Sequence, residues 1–275
     1  MKVGIIGTGN MGSILISALI ESLAVRPSEM MIINRTVKKA EKVKDQYPDI
    51  KIGKTNNEVA AFADITFLCV KPLEYYALLE RISPELTRDK LVVSITSPIS
   101  VEQLEALVSC SVARAIPSIT NRALSGASLI TYGKMCSPHK RKQLDQLMSK
   151  ISTPVVIDQS ITRVASDLSS CGPAFFSFLL QAYIDSAVEE TNITKEQATQ
   201  LVSEMVIGMG KLLEKEIYTL PTLQKKVCVK GGVTGEALKV FEAELGPLFN
   251  HVIERTHQKY DEDCEAVDRQ ITKQY

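Results

Sequence analysis

Through the first 157 residues, short runs of β-branched and other apolar residues alternate with segments whose apolar positions recur every three or four residues. The runs Lys2–Ile6, Met30–Ile33, Ile65–Val70, Leu91–Ile95, Val112–Ile116, Ser128–Tyr132 and Pro154–Ile157 predict strands, with a weaker one at Lys51–Gly53. The central runs are apolar at successive positions, as strands buried on both faces require. Helical spacing or capping residues predict helices over Ser13–Ser22, Thr36–Gln46, Asn57–Ala63, Val101–Val108 and Pro138–Lys150. This alternation implies an α/β domain, a doubly wound parallel sheet, over residues 1–160. Beyond Ser160 the pattern is helical: Ile161–Thr191, Lys195–Leu213, Thr222–Val227 and Gly235–Tyr275 carry the three-and-four spacing, punctuated by Gly172-Pro173, Pro221, Gly231-Gly232 and Gly246-Pro247. Residues 161–275 are therefore expected to form an all-helical second domain. Its apolar positions lie on more than one face, Phe175, Phe176, Phe178, Leu179 and Leu180 among them. A homodimer through this half is the simplest explanation, and a self-contained bundle would give the same pattern.

Composition narrows the functional classes. The 275 residues hold 32 basic and 32 acidic side chains, and this balance argues against a nucleic-acid footprint. Apolar residues at 45% and charged residues at 23% are those of a chain with a sizeable core. The six cysteines, Cys69, Cys110, Cys136, Cys171, Cys228 and Cys264, form no CxxC pair and lie near no His cluster, so no metal site is expected, and free thiols in a reducing cytoplasm are the plain reading. The uncharged stretch Val3–Ile20 is interrupted by Gly4, Gly7, Gly9 and Gly12, and Leu168–Ile184 by Gly172-Pro173; neither has the continuity of a signal core or a membrane span.

The strongest chemical signal is Gly7-Thr8-Gly9-Asn10-Met11-Gly12, placed between an expected strand and an expected helix. Gly7 permits the tight turn, Gly9 admits a pyrophosphate to the backbone, and Gly12 allows close helix packing, the fingerprint of a Rossmann-type dinucleotide site. The second strand ends at Asn34-Arg35-Thr36, where an NAD site usually carries an acid for the ribose hydroxyls. Arg35 can pair a 2′-phosphate, with Asn34 and Thr36 as hydrogen-bond partners, which favours NADP; the alternative is that Arg35 is a solvated surface charge.

Val70-Lys71-Pro72 at the end of the fourth strand, Asn56, Val93-Ser94, Arg114, Cys171-Gly172-Pro173-Ala174 and Gly231-Gly232-Val233-Thr234 join the glycine turn in one pattern. On these residues the chain resembles pyrroline-5-carboxylate reductase over nearly its whole length. The resemblance implies a Rossmann domain, a helical domain that interleaves into a dimer, and hydride transfer from NADPH to the C=N bond of pyrroline-5-carboxylate or a related cyclic imino acid. It implies cofactor contacts from Asn34, Asn56, Val70, Lys71, Pro72 and Ser94 beside the glycine turn, and substrate contacts from Gly231, Gly232 and Thr234; Lys230, Val233 and Cys171, at altered positions of the same motifs, are further substrate-binding candidates. Thr234 is the expected catalytic hydroxyl, held near the imine nitrogen.

The substrate end departs from the family pattern. Ser-Pro-Gly-Gly-Thr-Thr becomes Val229-Lys230-Gly231-Gly232-Val233-Thr234, Ser97-Pro98 replaces Ala-Gly, Gln181 replaces an acid, and the proline loop reads Ile116-Pro117-Ser118-Ile119-Thr120. Two readings follow. In one, the Gly231 and Gly232 amides, the Lys230 charge and Thr234 still bind an imino-acid carboxylate and nitrogen. In the other, Val229 and Val233 fill apolar space, Cys171 is a small buried hydrophobe, and the chain is a nucleotide-binding regulatory or interaction protein that has lost its substrate.

Overall fold

The computed structural model describes residues 1–272. The strands are β1 (Val3–Ile6), β2 (Met30–Ile33), β3 (Lys51–Ile52), β4 (Ile65–Leu68), β5 (Leu91–Ser94), β6 (Ser111–Ile116), β7 (Ala127–Tyr132) and β8 (Thr153–Val156). They form one sheet in the order β3-β2-β1-β4-β5-β6-β7-β8. The chain leaves β1 toward β2 and β3, then returns to its other side as β4, which opens a crevice at the C-terminal end of β1. Val3 pairs with Met30 on one side and Ile65 on the other, so β1 is central and every one of its residues is buried.

Alternate strand residues face opposite layers. Val3, Ile5, Ile32, Phe67 and Val93 join the core formed with α1 (Asn10–Glu21), α2 (Val37–Gln46) and α6 (Pro138–Met148). Ile6, Met31, Leu68, Val92 and Val112 join the opposite layer with α3 (Asn56–Phe62), α4 (Tyr75–Ile82) and α5 (Val101–Glu105). Of these helices, α4 lies outside the segments expected from sequence, although Tyr75, Leu78, Leu79 and Ile82 trace a buried stripe at helical spacing.

The sheet is parallel, as expected, at every strand pair but one. β7 runs antiparallel to β6, whereas β7 and β8 are parallel. The reason lies in the connections: β6 reaches β7 through a loop holding only the 3-10 turn Ile119–Ala123, too little to cross over the sheet, while α6 provides the crossover to β8.

After the short helix α7 (Thr162–Ser166) the chain passes through a π-helical turn, Asp167–Cys171, and continues directly into α8 (Gly172–Glu190). The break expected at Gly172-Pro173 is absent. The widened turn accommodates the proline, and carbonyls near it find other donors: Ser118 Oγ donates to Ser169 O at 2.9 Å, while Ser170 Oγ donates back to Pro117 O at 3.1 Å. The remaining helices are α9 (Lys195–Glu214), α10 (Leu220–Val227), α11 (Val233–Glu244) and α12 (Leu248–Thr272).

Two compact units emerge, Met1–Pro173 with the chain from Arg255 onward, and Ala174–Glu254. The change from strands to helices near residue 160 therefore does not coincide with the division in contacts, because the C-terminal half of α12 returns to the first unit. Val267 is buried in its α3–α5 layer, Gln103 Nε2 donates to Asp268 Oδ1 at 2.7 Å, and Tyr260 Oη donates to Ser97 O at 3.2 Å. In the second unit Ile184 and Ala198 are buried and the Phe176 and Phe249 rings stack at 6.2 Å, yet Phe178, Tyr183, Leu201 and Phe241 remain exposed.

Candidate functional site

The glycine turn joins the end of β1 to α1. Gly7 adopts φ +104°, and a Cβ there would lie 2.3 Å from Cys69 O; one on Gly12 would lie 2.1 Å from Gly7 O. Both glycines are thus required by the fold itself. Gly9 differs: an added Cβ would meet no atom within 4 Å. Gly9 is also the N-cap of α1, with no side-chain cap and no acid in the first turn, so amide donors of Asn10 and Met11 face this open ground with the positive end of the helix. Thr8 Oγ1 is buried and has no hydrogen-bond partner among the described residues. Uncapped amides, an orphaned hydroxyl and a hollow that a methyl group would fill are the features a dinucleotide pyrophosphate fits.

The strand ends around this turn carry the other expected cofactor residues. Asn34 Oδ1 accepts from Thr8 N at 3.0 Å and Asn34 Nδ2 donates to Thr36 O at 3.1 Å, so this side chain shapes the turn from within the protein. Arg35 and Thr36 are exposed, Thr36 as the N-cap of α2 with no side-chain capping bond. Val70 is half-buried, Lys71 is exposed, and Pro72 opens the 3-10 turn Pro72–Glu74. Asn56 stands half-buried in the first turn of α3.

Ser94 differs from these residues in its placement. It is fully buried, and its hydroxyl donates to Tyr75 Oη at 3.1 Å, which donates in turn to Leu68 O at 2.7 Å. Burial pushes the Tyr75 phenol up, so it stays a neutral donor. This chain of hydrogen bonds pins the end of β5 to the end of β4 just behind Cys69-Val70-Lys71. Ser94 therefore braces the Cys69-Val70-Lys71 segment from beneath. Tyr75 carried no sequence signal beyond its helical spacing.

A second polar cluster surrounds Arg114, which is 1% exposed. Its guanidinium donates to Ser97 O at 3.0 Å, Ile99 O at 3.2 Å, Thr131 Oγ1 at 3.4 Å and Thr162 Oγ1. All four acceptors are neutral, and burial lowers the pKa of the arginine. Tyr260 also holds Ser97 O, and burial raises its phenol to about 12. The Ser97-Pro98 loop is thus clamped from β6, α7 and α12.

Cys171 lies at the end of the π turn, with Arg163 Nη2 3.2 Å from its Sγ. About two helical turns, the second of them widened, bring Arg163 back to this thiol from eight residues earlier in the chain. Arg163 also pairs with buried Asp167 at 2.8 Å, and Asp167 Oδ2 accepts from Thr256 Oγ1 at 2.6 Å. The guanidinium is therefore shared between a carboxylate and the sulfur.

The expected substrate loop belongs to the second compact unit. Gly232 N donates to Val229 O at 2.9 Å, closing a turn in which Gly231 takes φ +76°. Gly232 is the N-cap of α11 without a side-chain cap, Val233 and Thr234 open the helix, and Lys230 projects exposed from the turn. Amide donors, a helix N-terminus, a cation and the half-buried Thr234 are gathered at one point, as carboxylate recognition requires. Among the described residues no three His, Cys, Asp or Glu side chains cluster as metal ligands, and no helix is long and apolar enough to cross a membrane.

Comparison with known proteins adds to this geometry. Residues 2–98 match the family model described as NADP oxidoreductase, coenzyme F420-dependent, and residues 159–263 match that of pyrroline-5-carboxylate reductase dimerisation. The chain is 52% identical over 271 residues to ComE operon protein 4 of Bacillus subtilis, covering 98% of this chain and 99% of that one. It is 30% identical over 272 residues to pyrroline-5-carboxylate reductase 3 of the same organism, with coverage of 98% and 99%. The crystal structure of Plasmodium falciparum pyrroline carboxylate reductase with NADP bound superposes with a TM-score of 0.81 at 20% identity, covering 98% of each chain.

Proposed function

Since the chain belongs to the pyrroline-5-carboxylate reductase family and opens with an NADP-oxidoreductase domain, we propose that it reduces the C=N bond of pyrroline-5-carboxylate or a related cyclic imino acid with NADPH. The observation that carries this reading is the open, uncapped dinucleotide turn at Gly9; within the second unit, the uncapped helix N-terminus at Gly232 beside Lys230 and Thr234 adds to it. When bound, the nicotinamide supplies a hydride. The amides of Asn10 and Met11 hold the pyrophosphate, Arg35 and Thr36 face the 2′-phosphate, and Val70, Lys71 and Pro72, braced by Ser94 through Tyr75, border the cofactor. At the other end, the Gly231 and Gly232 amides and the Lys230 ammonium bind the substrate carboxylate. Thr234 hydrogen-bonds the ring nitrogen and orients the imine carbon, a reaction that needs positioning rather than a metal or a strong base.

In this reading residues 1–160 bind the cofactor, while residues 161–275 bind substrate and assemble a homodimer. Support for the second role comes from the matched dimerisation model and from the exposed Phe178, Tyr183 and Phe241. A specific observation favours another reading: Val229 and Val233 stand where family hydroxyls are expected, and the 52% identical relative is named for an operon rather than a reaction. That alternative is a nucleotide-binding regulatory protein. Spectrophotometric oxidation of NADPH with a panel of cyclic imino acids decides between them. Turnover with any member supports the reductase, whereas NADPH binding without turnover across the panel favours regulation.

A further inference from the structure

The acid missing from the end of β2 is supplied by another part of the fold. Arg35 Nη1 lies 3.0 Å from Glu74 Oε1. Glu74 ends the 3-10 turn that follows Val70-Lys71, next to β4. Because β2 and β4 flank β1, the ion pair reaches across the strand that carries the glycine turn. Its backbone is fixed: Pro72 starts the turn, Glu74 N donates to Lys71 O at 2.9 Å, and Gln270 Nε2 of α12 donates to Leu73 O at 2.8 Å. Glu74 is the N-cap of α4, yet its carboxylate makes no capping bond and turns to Arg35 instead.

We propose that Glu74 is a specificity-determining residue that tempers the preference for NADPH over NADH. This rests on the reading of the glycine turn as a dinucleotide site. Arg35 is a cation with two claimants. A 2′-phosphate binds it only by displacing the carboxylate or by tolerating a neighbouring negative charge, whereas a cofactor with a free 2′-hydroxyl leaves the pair intact and gains an acceptor beside it. Both side chains face solvent, Arg35 at 88% and Glu74 at 42% exposure, so the pair is weak and adjusts a ratio rather than imposing one cofactor.

Calorimetric titration of the full-length protein with NADPH and with NADH, for the wild type, Glu74→Gln, Arg35→Ala and the double variant, tests this. Glu74→Gln is expected to raise the NADPH to NADH affinity ratio about three- to tenfold, with the gain shrinking at high salt. In the Arg35→Ala background the same substitution should change the ratio by less than about twofold, since the shared cation is gone. A ratio that is unchanged or lowered by Glu74→Gln overturns the proposal and leaves the reductase reading intact. Failure of the wild type to bind either dinucleotide overturns both.

Discussion

Replacing Gly9 by alanine separates cofactor binding from folding. The added Cβ meets no protein atom within 4 Å, and Gly9 has φ −72° and ψ −168°, a conformation open to any L-residue. Loss of unfolded-state freedom stabilises such a variant by about 0.4–1 kcal/mol. Alanine is the poorer N-cap, and that penalty is about 0.5–1 kcal/mol. The two nearly cancel, so the ligand-free melting temperature should stay within about 2 °C of the wild type in calorimetry. The methyl group, however, stands where the pyrophosphate approaches α1. Displacing the phosphates enough to lose one charge-assisted hydrogen bond costs about 1.5–3 kcal/mol, a ten- to hundredfold fall in NADPH affinity by isothermal titration. Gly12→Ala is the contrast, since its Cβ would lie 2.1 Å from Gly7 O and must strain the turn itself. That variant should lose about 2–4 kcal/mol of stability even without cofactor. NADPH binding by Gly9→Ala within about twofold of the wild type would refute the placement of the cofactor.

Four further outcomes are expected. Arg114→Leu leaves Ile99 O without its buried donor and Ser97 O with Tyr260 alone, and should remove about 2–4 kcal/mol, read as a lower urea midpoint; an unchanged midpoint would contradict the clamp. Burial holds the Cys110 thiol at about 11, so at pH 8 only about 0.1% is thiolate and native protein should resist iodoacetamide there, with labelling rising as pH approaches 11; rapid modification at pH 8 by peptide mass spectrometry would show the environment to be otherwise. Phe178→Asp puts a charge on an exposed apolar face of α8 and should shift a dimer at micromolar concentration toward monomer in light scattering, while a monomeric wild type would remove the case for assembly. Where imine reduction is measurable, Lys230→Ala should raise KM about five- to hundredfold and Thr234→Val should lower kcat at least as strongly as it raises KM; equal effects on the two constants in both variants would argue against their separate roles.

Local rules made much of this protein legible before its folding was known. Strand and helix periodicity depends on residues two to four apart, which is why β1, β2, β4 and β5 fall on the expected runs. The glycine turn is local in part: Gly12 is held against Gly7 O within a few residues of chain, whereas the bar to a side chain on Gly7 comes from Cys69 O beyond the end of β4. The Gly231 turn before α11 is local. The continuous helix through Gly172-Pro173 was hidden, since its widened turn depends on Ser118 and Pro117, more than fifty residues earlier in the chain. Tertiary structure also decided how individual residues serve the site. Ser94 turns inward to Tyr75, Arg163 reaches Cys171, and Arg114 gathers acceptors from three segments.

The cofactor end shows the division most clearly. Sequence position identified Arg35 and the absence of an acid beside it, because both follow from reading one strand to its end. Glu74 arrives at Arg35 only because burial of both faces of β1 places β2 on one side of it and β4 on the other. Strand order is a property of how the whole sheet covers its core, and no short-range pattern encodes which two strand ends will share a crevice.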